Sequence, residues 1–533
     1  MHVPSQTCTE LNTMAQTVPL AVDVAVIGAG ISGLTTARTI LEQEPGLRVC
    51  VLESRERVGG RTQSLDIPGC SLDRIDVGGQ WVGPLQTNVL GLVKEAGLQL
   101  VKQGWFEDDW QPAAGKGEGD GSPRLVEPHV TTASMEGARS LEAAGTTPGI
   151  TLISGGSTGL SEAEQTELQS LVTNLDQMAA SLGAVPWRQW SEQHPQAREW
   201  DQLSVTQWLD RHVTHKAVAE EIILFTQAVL SGPPESISFL FLLFYIFSSG
   251  GMHQLADVDG GAQTWRIQGG SQQLSQFQAQ QVTRLGGQVL LGHPVTSIAQ
   301  RSHSTPRLLL TLGNGSQLLA SCVVVAVPPP VWHATIQFSP PLSAERQQLG
   351  RAMFMGAAMK FVIFYSHAFW REPRLLAPTC KLDACGPVQN LYPACFEGTP
   401  ALIGLATGRS ALLLNAASEA EQREQVLQQL VLYWGSSQAR DAVTTFTAKS
   451  WAQEPWSRGC FTALMPPGLA TSPAGRSLRE PEYAGQLLFA GTETAVNWYG
   501  YIEGGMQAGM EAGKQAVALA ARLRKMPLVA SKL

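Results

Sequence analysis

Charge is scarce in this sequence. Only 15% of its 533 residues are charged, and 45 acidic against 37 basic side chains leave a formal net charge of -8. A chain without a basic excess offers no electrostatic footprint for nucleic acid or an anionic membrane surface. Nor is there an apolar run near the ~20 residues needed to cross a bilayer. The most apolar stretch, Ile237 to Phe247, reads instead as a buried helix beside a ligand. The first twenty residues hold no basic segment and no long apolar one, so no secretory signal is read there. The eight cysteines are scattered, without paired spacing or CxxC, which excludes a zinc-ribbon pattern and points to a reducing compartment. The ten histidines are dispersed, and no Ser/His/Asp set, metal-ligand spacing or general-acid carboxylate pair stands out. What remains is a globular chain, 44% hydrophobic and long enough for two or three domains around a large buried ligand.

The strongest local signal lies near the start. Val22 to Ile27 is a short apolar run ending in Gly28-Ala29-Gly30-Ile31-Ser32-Gly33. A helical stretch, Leu34 to Glu44, follows, and then a second apolar run, Leu47 to Leu52, that closes on Glu53. Strand, glycine turn, helix and strand make one βαβ unit. Gly28, Gly30 and Gly33 permit the tight turn, the close approach of backbone to a pyrophosphate, and close helix packing; Glu53 is placed for ribose hydroxyls. The unit continues through Arg55 to Gly59-Gly60-Arg61, a second backbone approach with a cation for the pyrophosphate. Nicotinamide dehydrogenases do not need this extension, whereas it resembles the segment of glutathione-reductase-like FAD enzymes. FAD is therefore the expected cofactor.

Further along, residues 107–160 are rich in Gly, Ser, Pro and Glu and read as a mobile surface loop. Helices are expected over Thr166 to Leu182, Val205 to Leu230, Glu419 to Tyr433 and Gly504 to Lys525. Strands are expected over Val289 to Ala299, Leu308 to Leu312, Gln317 to Val327 (stopped by Pro328-Pro329-Pro330), Ala357 to Tyr365 and Gln486 to Ala490. Lys360 is a lone charge inside one of these apolar strands. It must find a partner, lose its proton easily, or snorkel to solvent from an edge.

From Val22 to about Ala520 the chain resembles the flavin-containing amine oxidases, and within them the monoamine oxidases. The resemblance is carried by Asp76-Val77-Gly78-Gly79-Gln80-Trp81-Val82-Gly83-Pro84, by Gly260-Gly261-Ala262-Gln263 with Gly269-Gly270-Ser271, by Gly491-Thr492-Glu493-Thr494, and by Gly500-Tyr501-Ile502-Glu503-Gly504. It is carried also by Trp451 and by Ser457-Arg458-Gly459-Cys460-Phe461. The absence of histidine from the first segment favours the monoamine branch over polyamine oxidases.

The resemblance implies an α/β fold of two domains: a glutathione-reductase-like FAD-binding Rossmann domain and a sheet-plus-helices substrate domain of the amine-oxidase type. The FAD domain would be discontinuous (20–100, 268–349, 454–520), with the substrate domain at 101–267 and 350–453, an N-terminal extension at 1–19 and a tail at 521–533. Cofactor contacts are implied for Gly28, Gly30, Ser32, Gly33, Glu53, Arg55, Gly60, Arg61, Gly79, Gln80, Trp81, Val295, Trp451, Glu493 and Tyr501. Cys460 would carry an 8α-thioether to FAD, although Arg458 stands where the family has glycine. Phe461, usually tyrosine in the family, and Tyr501 would flank the amine, and Lys360 would hold a water at flavin N5 and assist oxygen reduction. The implied reaction is oxidative deamination of a primary monoamine with O2 and water to an aldehyde, ammonia and hydrogen peroxide. A polyamine or L-amino-acid oxidase on the same fold is the alternative, and a flavin-binding protein without turnover the reading of a different class. Asp257 and Asp259 are candidate carboxylates for a polyamine. Ser531-Lys532-Leu533 matches a peroxisomal address read by an import receptor. Oligomeric state is open, with a homodimer among the options.

Overall fold

Two sheets, one mainly parallel and one antiparallel, organise the chain around a shared cavity. The computed structural model describes residues 18, 21–67, 74–103, 160–183, 187–258, 260–301, 307–372, 375 and 382–525. The expected N-terminal extension (apart from Val18), the 107–160 loop (apart from Leu160), Asp259 and the peroxisomal motif lie outside them.

The larger sheet grows from the βαβ unit. Strand Ala21–Ile27 pairs in parallel with Val49–Leu52, which pairs with Gln288–Leu290. On its other side lies Gln317–Val325, also parallel, whose far end takes Leu487–Phe489 as a further parallel neighbour. Val295–Arg301 and Arg307–Leu312 complete the sheet as an antiparallel extension, with Gln337–Ser339 at the edge. The strands of the βαβ unit are apolar on both faces because both are covered. Helix Ile31–Gln43 lies against one face, packed on the terminal helix Ile502–Lys525. Gly509 and Gly513 permit that approach: a Cβ on Gly509 would sit 2.4 Å from the Ser32 carbonyl oxygen.

The second sheet orders Asn390–Phe396, Thr399–Thr407, Ala358–Tyr365 and Val443–Ser450, all antiparallel. In strand Ala358–Tyr365, Met359, Phe361 and Ile363 pack into a core with Leu414, Val426 and Leu430 of the flanking helices Gly408–Asn415 and Glu419–Trp434. The period of two sends Lys360, Val362 and Phe364 to the opposite face. That face turns toward the cavity. A helical layer from Glu162 to Ala256 closes the far side, with the buried helix Phe239–Ser249 at its centre. No helix among the described residues is long and apolar enough to cross a membrane.

Several local expectations are modified. The stretch Val289 to Ala299 is two strands, interrupted at Gly292, whose φ is +68°, and Pro294. Val205 to Leu230 is two helices, Val205–His212 and Lys216–Leu230, because the Glu167 carboxylate captures the backbone N–H groups of Thr214 and His215 between them. The proline cluster ends a strand and also opens helix Pro329–Thr335, prolines being compatible with a first helical turn. The last helix runs through Lys525, where the sequence places its end. Cys50, Cys322 and Cys460 are free and buried, and Cys385 is disulfide-bonded.

Candidate active site

One long cavity, with about 1850 Å³ of atom-free space that opens to solvent, runs between the two sheets. All the site residues expected from the sequence line it except Gly33 and Glu493. Those two act from behind the wall. A Cβ on Gly33 would fall 2.0 Å from the Gly28 carbonyl oxygen, so its part is the close turn itself.

At one end sits the glycine turn. No side chain caps helix Ile31–Gln43, and its first helical bond is Leu34 N–H to the Gly30 carbonyl. The preceding N–H groups are therefore available to an anion, on the positive end of the helix. Ser32 Oγ accepts from Gly491 N–H at 2.9 Å and ties the closing motif to this turn. Glu53 is buried, its carboxylate held by the N–H groups of Ala29 (2.8 Å) and Arg55 (2.9 Å), with lone pairs left for hydroxyl donors. Arg55 and Arg61 both line the wall, yet each is already paired. Arg55 bonds Glu454 and Ser457, and Arg61 forms a two-point pair with Glu493 and donates to the Phe461 carbonyl. Backbone N–H groups, rather than free guanidiniums, are the principal anion donors here. The donor set, and a lining that runs from the glycine turn to Cys460 and Lys360, fit FAD.

The Cys460–Phe461 segment forms the middle of the wall. Cys460 N–H donates to the Gly356 carbonyl, and the Ser231 hydroxyl accepts from Phe461 N–H and donates to the Cys460 carbonyl, each bond between 2.5 and 3.0 Å. Gly459, at φ +135°, must be glycine, since a Cβ would lie 2.3 Å from the Gly356 carbonyl oxygen. Burial pushes the Cys460 thiol up to about 12, with Arg61 and Lys360 pulling the other way.

Lys360 is buried and reaches the opposite wall. Its Nζ donates to Gln80 Oε1 at 2.7 Å and to the Gly78 carbonyl at 3.1 Å, and it lies 5.3 Å from the Trp81 ring centre. Burial pulls this ammonium down to about 8, opposed by Asp76 and Cys460. Asp76 is itself pushed up to about 6 by burial, against Lys360 and hydrogen bonds from Ser64 and Ser271. The strand-edge alternative for Lys360 is overturned, because strands Thr399–Thr407 and Val443–Ser450 flank it on both sides.

Aromatic rings surround the space before Lys360. Tyr501 stacks on Tyr245 with centroids 6.1 Å apart and meets Trp498 edge-on at 5.1 Å; Trp81 and Tyr392 are tilted at 4.8 Å. Phe461 packs against the apolar cluster of the second sheet that includes Tyr392. Tyr245, Tyr392 and Ser231 belong to no motif. Tyr245 lies in the apolar run of helix Phe239–Ser249, and only the alternation of strand Asn390–Phe396 hints at the cavity position of Tyr392. Asp257 is not on the wall and instead faces His253 at 3.3 Å.

This arrangement matches known proteins over nearly its whole length. Residues 31–516 match the model of the flavin containing amine oxidoreductase family. Flavin-containing amine oxidase A of Equus caballus is 31% identical over 489 residues, covering 91% of this chain and 83% of that protein. A probable flavin-containing monoamine oxidase A of Dictyostelium discoideum is 29% identical, covering 92% and 97%. Among solved structures, wild-type putrescine oxidase bound to putrescine superposes with a TM-score of 0.74 at 26% identity, over 94% of this chain and 99% of that one. Cyclohexylamine oxidase from Brevibacterium oxydans gives 0.71 at 27%, over 95% and 100%. The chain belongs to the flavin-containing amine oxidoreductases, and FAD-dependent oxidation of an amine is its class of chemistry.

Proposed function

We propose that the substrate is a monoamine with an apolar substituent, that FAD is held covalently through Cys460, and that oxygen leaves as hydrogen peroxide. One observation carries the substrate reading. The cavity beyond the glycine turn is walled by Trp81, Tyr245, Tyr392, Leu405, Phe461 and Tyr501. Among the described residues the only carboxylate lining the cavity, Glu53, belongs to the dinucleotide end. A diamine of the kind named for putrescine oxidase would need an anionic point for its second ammonium, and an amino acid would need a free arginine. Arg55 and Arg61 are both committed to carboxylates.

Bound here, FAD supplies the two-electron acceptor that takes a hydride equivalent from the carbon beside nitrogen and returns the electrons to oxygen. The protein does the rest. Aromatic faces orient the amine and favour positive charge growing on nitrogen. Lys360 repels an ammonium, so the neutral amine is the form admitted. The packed walls keep the site dry, which strengthens each polar contact within it. The free, buried Cys460 on the wall supports the thioether reading; its raised pKa means that attachment must remove a proton from a thiol.

The test is acid precipitation of the purified protein, followed by a peroxide screen with benzylamine, pentylamine, putrescine, spermine and L-leucine. Flavin should stay with the pellet, move to the supernatant in Cys460→Ala, and peroxide should come from the monoamines. Flavin in the wild-type supernatant refutes the thioether; peroxide from putrescine or L-leucine alone refutes the substrate reading. Peroxisomal import through Ser531-Lys532-Leu533 belongs to the same proposal and is tested by deleting those residues from a fluorescent fusion, which should then stay diffuse.

A further inference from the structure

We propose that Gln80 is the positioning residue for Lys360, and that a Gln80–Gln103 amide pair ties this lysine to the strand carrying Tyr392. The inference rests on the catalytic reading of the cavity above but uses different atoms.

The polarity of the network leaves no freedom. An ammonium only donates, so the Gln80 carbonyl must face Lys360 Nζ at 2.7 Å. The Gln80 amide nitrogen is then left to donate to Gln103 Oε1 at 3.4 Å. That same oxygen accepts from Trp81 Nε1 at 2.8 Å, an indole N–H that also can only donate. Gln103 therefore turns its nitrogen outward, onto the Pro393 carbonyl next to Tyr392. Both amides are fixed by donor-only groups at the two ends. Gln80 and Gln103 are both nearly fully buried, at 3% and 6% exposure, so neither can trade these bonds for water.

The choice of a neutral acceptor has a chemical consequence. Lys360 is faced by Asp76 and Cys460, and by Gln80, the Gly78 carbonyl and the Trp81 ring. Lys449, opposite it in register on Val443–Ser450, is paired with Glu454, and Arg61, which faces Cys460, is paired with Glu493. An amide holds the ammonium in place without adding a charge that would lock its proton. A carboxylate at the same point would hold it and raise its pKa.

Full-length flavin-loaded protein labelled with 13Cε-lysine provides the test, with the Lys360 resonance assigned by its absence in Lys360→Met. In Gln80→Glu the Lys360 titration midpoint should rise by about one unit or more, and in Gln80→Leu it should fall, since a hydrogen bond to the charged form is lost. The pH profile of reoxidation by oxygen should move with these midpoints, while anaerobic flavin reduction by benzylamine, read at a fixed pH, changes less than reoxidation. Midpoints unchanged in both variants, with flavin content retained, overturn the proposal. If the wild type oxidises no amine, the function falls while the titration still judges Gln80; if it turns over and the titration does not move, only Gln80 falls.

Discussion

Replacing Lys360 by methionine removes the costliest charge in the cavity, and the structure sets the size and pH window of the effect. Burial takes Lys360 from its ordinary 10.5 to about 8. At about 1.4 kcal/mol per unit, that gap corresponds to roughly 3 kcal/mol. Below pH 8 both folded and unfolded chains hold the proton, and the whole penalty burdens the folded state. Between 8 and 10.5 the unfolded chain binds more protons, so stability rises with pH; above 10.5 the penalty is gone. The Lys360→Met variant carries no such penalty at any pH. The wild-type curve should therefore climb on the variant's by roughly 3 kcal/mol across that window, or about 3 °C in Tm for a chain of this length. Asp76, at about 6, is ionised throughout the window. Titrations of groups that do not face Lys360 are common to both proteins and cancel in the difference, whereas Asp76 and Cys460, both drawn down by Lys360, shift upward in the variant. The assay is thermal melting of both proteins at half-unit steps from pH 7 to 11. Parallel profiles, or a wild-type curve that falls relative to the variant's with rising pH, would refute the assignment of Lys360 as a buried charge under desolvation.

Two further outcomes are expected. Arg458 is exposed and held at φ +59°, so Arg458→Gly should stabilise the protein by about 0.5–1 kcal/mol, the left-handed cost outweighing the glycine entropy. Acid precipitation should find its covalent flavin fraction no lower than in wild type. Ser231→Ala leaves Phe461 N–H and the Cys460 carbonyl short of a partner in a buried site and should cost about 2–4 kcal/mol. Flavin attachment in that variant should slow, as followed by acid-insoluble absorbance over time.

The amino-acid order alone settled whatever depends on neighbours in the chain. The turn from Gly28 to Gly33 and the answering Glu53 are legible because a βαβ unit closes within about thirty residues. Lys360 stands out because one ammonium interrupts eight residues of otherwise apolar strand. Cys460 and Tyr501 were findable through their flanking motifs, but Tyr392, Tyr245 and Ser231 were not, because their roles lie in which face of a strand or which helix end meets the cavity. Folding alone joins residues 231, 356 and 460, or 80, 103 and 360, since no sequence spacing encodes a contact made across sheets. It also decided that Arg55 and Arg61 are neutralised by Glu454 and Glu493. The sequence chose the chemical groups; the packing of the two sheets chose their partners, because a buried polar atom must be satisfied by whatever the fold brings within reach.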